Sequence, residues 1–214
     1  MYLSQLILNP RSRQVRSELT RLYELHRTVM SGFAPKPLDE RVLFRLDLST
    51  KDGIPKLLVQ SHSQPDWSKL QAKDGYFLEE PQVREYNPQF QTGQRLVFRL
   101  LANPTRSNKE GVEPGERGKR ETIGRHEDQA AWLNRKGENG GFRVSILRIT
   151  SIGEQRLAIP DRETKETHAA RHWAVRFDGE LEVTDQDAFL ATVQKGIGSA
   201  KGFGFGLFSV LPTR

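Results

Sequence analysis

The chain has 214 residues, no cysteine, and 33 Lys and Arg against 27 Asp and Glu, for a formal charge of +6. That length suits one large domain or two small ones, each able to bury a core. The lack of cysteine excludes disulfide frameworks, thiolate metal sites and cysteine nucleophiles, while a pI near 9.7 favours a polyanionic partner such as nucleic acid without specifying it.

The chain opens on a short apolar run, residues 2 to 8, that stops at Asn9-Pro10 and reads as a buried strand. "MYLSQLILNP" has neither a basic leader nor a small-residue cleavage site, and no other segment approaches a membrane span, so the expectation is a soluble, cytoplasmic protein with no membrane partner. From Ser12 to Phe33 the apolar positions Val15, Leu19, Leu22, Val29 and Phe33 recur at three- and four-residue steps, which predicts one helix. Strands over 41 to 49 and 56 to 63 follow, joined through "KDG"; a helical turn at 66 to 70 and a strand at 76 to 83 complete a β-α-β-β-α-β order.

The order then repeats. A strand over 94 to 103, a helix over 126 to 137, strands over 141 to 150 and 168 to 183, a helix over 184 to 196 capped by Thr184 or Asp185, and a last strand over 206 to 212 make a second set. The predicted architecture is α+β, two tandem ferredoxin-like βαββαβ domains, residues 1–88 and 89–214. Between the fifth strand and its helix, "PTRSNKEGVEPGERGKRETIGR" (104 to 125) has no apolar period and reads as a loop, either a solvated insertion or a basic flap.

Three places carry candidate chemistry. Tyr23 and His26 lie about 60° apart around the helix and share a face, but the same rotation places His26 inside the arc of Leu19, Leu22 and Val29. Periodicity therefore favours a packed histidine over one that moves a proton. The run "KGIGSAKGFGFGLF" (195 to 208) nearly matches the signature of the RNA recognition motif, with Gly206 in place of valine. Its position before the last strand argues against that module. It reads instead as a backbone loop whose glycines, Gly202 and Gly204 among them, permit close approach to a phosphate or base, with Lys201 adding charge, or as a compact turn. Third, Arg143, Arg148, Arg156, Arg162, Lys165, Arg171 and Arg176 spread along the last long strand pair and its connection, either as the wet face of a sheet or as a track for an RNA stem.

Metal chemistry finds little support. His168 and His172 have helical metal-ligand spacing, but they sit in a β-rich segment with no acidic cluster beside them. No phosphate-binding Walker loop and no serine-nucleophile elbow is present.

Taken together, "MYLSQLILNP", "LYELHRTVM", "QRLVFRLLANP", "AAWL", "FDGELEVTD" and "GIGSAKGFGFGLFSV" stand in an order that resembles the CasE family of CRISPR-associated endoribonucleases across nearly the whole chain. The resemblance implies a nuclease without metal or other cofactor that binds the hairpin of a CRISPR repeat, cuts the precursor by 2′-hydroxyl attack, and stays on its product within Cascade with other subunits. It places the catalytic histidine on His26, as acid or base, and a positioning tyrosine on Tyr23; Arg27, a helix step away, ranks lower. Lys201 and the glycine-rich loop carry over as RNA-binding, with Ser199 standing where the family commonly has proline. Assignment of Arg143, Arg148 and Arg156 to the RNA stem rests on their charge. The competing expectations are a noncatalytic double ferredoxin-like RNA-binding protein and an assembly subunit that contacts acidic protein.

Overall fold

The structure is a computed structural model, described here over residues 1–33, 40–48, 51–73, 75–108, 118–160 and 167–213. It divides into two compact units: Met1–Pro88 with Arg156–Ala170 and Lys201–Leu207, and Gln89–Gln155 with Arg171–Ala200 and Phe208–Arg214.

In the first unit the chain runs β1 (Tyr2–Ile7), α1 (Arg13–Thr20), α2 (Leu22–Ser31), β2 (Leu43–Leu48), β3 (Pro55–Ser61), α3 (Ser68–Gln71) and β4 (Gln82–Glu85). The sheet order β2-β3-β1-β4 is that of a ferredoxin-like domain, with the first and third strands central. Alternation explains which face is covered. Leu6 pairs with Leu57 and Phe44 with Val59, so these side chains share one face and form the core with Val15, Leu25 and Val29 from the helices and Trp67 just before α3. Gly32 ends α2 where a Cβ would stand 2.5 Å from the Trp67 ring, so glycine lets Trp67 pack there and donate to Ser4 Oγ at 3.2 Å.

Two expectations for this unit are corrected. The helix predicted over Ser12 to Phe33 is two helices, broken at Arg21, whose backbone (φ −127°, ψ 80°) leaves the helical region. The strand predicted at 76 to 83 is shifted. Phe77 makes a single bridge to Leu8, and regular pairing resumes only at Gln82 opposite Gln5, a slip of two residues after Pro81, which has no N–H to donate.

The second unit runs β5 (Arg95–Ala102), β6 (Thr105–Asn108), β7 (Lys119–Thr122), α4 (His126–Asn139), β8 (Phe142–Pro160), β9 (Thr167–Val183), α5 (Gln186–Lys195) and β10 (Phe208–Pro212), the long strands β8 and β9 extending past its limits. Its sheet order β10-β5-β9-β8 repeats the ferredoxin-like arrangement, so the chain carries the fold twice. Leu96, Phe98 and Leu100 of β5 face the helices with Phe177 and Leu181 of β9, and Phe142, Phe189 and Phe208 close the core with centroids 5.1 to 6.0 Å apart. Asp185 caps α5, its side chain accepting from the Asp187 and Ala188 amides at 3.0 Å.

The segment 104 to 125, expected as a loop, contains the paired strands β6 and β7. Arg106 lies opposite Glu121, which takes its guanidinium at 3.3 Å and the Asn108 amide at 2.7 Å. This pairing has no apolar period because charged and amide side chains hold it. Of the basic residues that would be phosphate contacts in the flap reading of this segment, Lys109 and Arg117 lie outside the described residues, whereas Arg106, Lys119 and Arg120 stand on these strands. Likewise β8 and β9 run on to Pro160 and from Thr167, into what the sequence reads as the polar connection between strands at 141 to 150 and 168 to 183. Arg162 and Lys165 lie outside the described residues.

Candidate active site

The break at Arg21 decides how His26 sits. With Leu19 on a separate helix, the buried stripe of α2 is Leu25 and Val29, flanked by half-buried Leu22. At about 100° per residue, His26 then falls on the shoulder of that stripe, with Tyr23 further round on the same side. Both are half-buried. The packed histidine that periodicity favours assumed one continuous helix; across the break His26 is half-buried on the shoulder of the stripe.

The His26 ring rests between aromatic neighbours. Phe44 of β2 lies with its centroid at 6.4 Å and its plane 22° from parallel, and Phe203 lies at 6.1 Å, tilted by 54°. Its Nδ1 is shielded from solvent. A Cβ on Gly202 would stand 3.6 Å from His26 Cε1 and 3.8 Å from Nδ1, so the glycine-rich loop meets this edge of the imidazole. Lys201 opens a 3-10 turn, Lys201–Phe203, that brings Gly202 there. Gly204 holds the turn in shape: its φ is +86° and a Cβ would stand 3.2 Å from Phe44 Cε2. Both conditions select glycine. Phe203 and Phe205 divide the work, Phe205 being buried and Phe203 reaching the histidine.

Arg27 is exposed and pairs with Glu24 on its own helix at 3.2 Å. Arg156 is exposed on β8. In the second unit, Arg143 is exposed and pairs with Glu182 at 3.2 Å, Arg171 lies 3.9 Å from Glu154, and Asp178 takes both Arg99 and Arg176. Arg148 is exposed on β8. Part of the basic alternation is therefore balanced by carboxylates on the neighbouring strand. His172 is in a strand, where its ring meets Asn103 Nδ2 at 3.0 Å; Asn103 Oδ1 also accepts from the Trp173 amide, and Ser199 Oγ reaches the Asn103 carbonyl at 3.5 Å. Burial lowers the His172 pKa. Among the described residues, no group of three or more His, Asp or Glu is gathered to hold a metal. Among the same residues, no helix is long and apolar enough to cross a membrane.

Sequence reasoning missed two residues. Phe44 reads as an ordinary core position in an alternating strand, and nothing in its spacing marks it as the wall behind a histidine. Glu18 was legible: it follows Val15 by three residues, on the buried side of α1, and a carboxylate there calls for partners.

A doubled ferredoxin-like chain that seats a half-buried histidine against a glycine-rich turn is a specific combination. The family model described as "CRISPR associated protein" matches residues 1–212. The chain is 37% identical to CRISPR-associated endoribonuclease Cse3 of Thermus thermophilus, over 99% of this chain and 100% of the relative, and 30% identical to the CRISPR system Cascade subunit CasE of Escherichia coli, with the same coverage. Among solved structures, Thermus thermophilus Cse3 bound to an RNA representing a pre-cleavage complex aligns with TM-score 0.80 and 35% identity, over 99% of this chain and 98% of that one. The chain belongs to the CRISPR-associated protein family, in its CasE and Cse3 branch.

Proposed function

We propose that the chain is an endoribonuclease that binds the hairpin of a CRISPR repeat RNA and cuts the precursor on the downstream side of the stem, with His26 transferring a proton. The observation that carries this reading is the contact between the His26 ring and the glycine-rich turn at Gly202, in a chain similar over its whole length to relatives named as endoribonucleases.

Chemically, the substrate supplies its own nucleophile. The 2′-oxygen loses its proton and bonds to the neighbouring phosphorus, the bond from phosphorus to the 5′-oxygen breaks, and that oxygen takes up a proton. The products are a 2′,3′-cyclic phosphate and a 5′-hydroxyl, and no metal is required. Imidazole titrates near neutrality and serves at either end of this transfer. Tyr23, on the same side of α2, positions the reacting group by hydrogen bonding. Backbone amides of the turn at Gly202 and Gly204, with Lys201, approach the phosphate. Arg27 lies further round the helix and assists binding. Arg143, Arg148 and Arg156 follow the RNA stem by its backbone. In this reading residues 1–88 form the domain with the catalytic helix and residues 89–214 the domain that contributes the basic hairpin and the glycine-rich loop, although Lys201–Leu207 and Arg156–Ala170 group with the first compact unit. The protein works in the cytoplasm, keeps its product and joins other Cascade subunits.

The test is single-turnover cleavage of a labelled repeat hairpin in chelator, with a 2′-deoxy substitution at the cut as control. Cleavage by the native protein that the 2′-deoxy group abolishes supports the reading. Tight binding without cleavage leaves the noncatalytic RNA-holding protein in its place.

A further inference from the structure

Glu18 is 5% exposed, and its carboxylate lies inside the first unit. Burying such a group is costly unless its oxygens are satisfied. Here Oε1 accepts from Gln14 Nε2 at 2.7 Å and from Thr28 Oγ1 at 2.8 Å, and Oε2 accepts from the Tyr76 hydroxyl at 2.5 Å. None of these donors is a cation; Lys73 reaches the network only through Gln14 Oε1, at 3.3 Å. Burial first, and then the hydrogen bond and charge of Glu18, hold the Tyr76 phenol far above its ordinary pKa, so it stays a donor across the neutral range.

The network straddles the break at Arg21. Glu18 stands on α1, Thr28 on α2, and Tyr76 on the segment leading to β4. Arg21 closes α1 by donating to the Glu18 carbonyl and opens α2 by accepting from the Glu24 and Leu25 amides, but its own backbone is not helical, so the direction and rotation of α2 are not set by α1 alone. Apolar packing of Leu25 and Val29 is nondirectional and tolerates rotation. A hydrogen bond across the break does not. Thr28 is about 200° from His26 around the helix, so the two residues occupy opposite shoulders of the buried stripe. Rotating α2 enough to lose the Thr28 bond would also carry His26 away from Phe44 and Gly202.

We infer that Glu18 is a positioning residue for RNA cleavage, acting through Thr28 to set the rotation in which α2 presents His26 and Tyr23. The inference rests on the reading of His26 as the proton-transfer group.

The test uses the full chain and Thr28→Val, which removes the hydroxyl and keeps the shape, with Thr28→Ser as rescue. Glu18→Gln, the harsher change, is a second probe. Thr28→Val is expected to lower the single-turnover rate constant about tenfold with hairpin Kd within about twofold, and to move the His26 Hε1 resonance; Thr28→Ser restores both. Leu181→Val, a core change in the second unit, lowers Tm without either effect. Wild-type cleavage by Thr28→Val, an unmoved His26 resonance, or an equal rate loss in Leu181→Val overturns the inference. If His26→Ala cleaves normally, the proton-transfer reading fails, and with it the inference for cleavage.

Discussion

The rings of His26 and Phe44 stand with centroids 6.4 Å apart and planes 22° from parallel, one carried by a helix and the other by the sheet beneath it. Phe44 is 1% exposed and belongs to the core, so the packing of the sheet sets one wall of the candidate site. Phe44→Leu keeps much of the volume and loses the flat wall. Expected are a loss of about 1 kcal/mol in unfolding free energy, read by chemical denaturation, and a slower cleavage step with hairpin affinity unchanged.

His26→Ala removes the proton carrier and nothing from the buried stripe of α2. The single-turnover rate should fall by about 10²- to 10⁴-fold while the hairpin is still bound. Cleavage at the wild-type rate would return His26 to a packing role.

The two glycines of the turn should respond differently. Gly204→Ala meets a left-handed backbone and the Phe44 ring together, and should cost about 1–2 kcal/mol of stability. Gly202→Ala meets only ordinary contact distance, yet its methyl would sit against the Cε1 and Nδ1 edge of His26. It should keep its Tm and lose cleavage. Equal losses of stability in both would contradict these separate roles.

Arg148 and Arg156 are exposed along β8, and Arg143, also exposed, pairs with Glu182. Charge reversal at all three should weaken hairpin binding and flatten its salt dependence, the slope changing by about 1 for each phosphate left without its arginine. An unchanged slope would remove these arginines from the RNA interface.

His172 gives a pH signature of folding. Its pKa lies below the ordinary 6.5 in the folded chain because of burial. Above 6.5 both states hold the ring neutral. Below it the unfolded chain takes the proton first, so stability declines as the pH drops, until the folded pKa is passed. Denaturation curves at pH 7.5 and 5.5 should show a smaller acid loss in His172→Gln than in the native chain. An identical loss would mean that another group sets the acid limb.

What the order of residues determined by itself was the doubled β-α-β-β-α-β plan, because alternation in "RLVFRLLA" and its counterparts is a local property that each strand carries wherever it packs. The glycine-rich run was legible for a similar reason, since left-handed backbone positions demand glycine in place. Tertiary structure decided the rest. A stripe of apolar residues from Val15 to Phe33 fits one helix as well as two, and only the folded chain shows the break at Arg21 that leaves His26 on the shoulder of the α2 stripe. The strands at 105–108 and 119–122 are held by Glu121 with Arg106 and Asn108, partners 13 and 15 residues away, which no local period records. Phe44 and Gly202 reach His26 from 18 and 176 residues along the chain, and such long-range neighbours exist only once the sheet has formed.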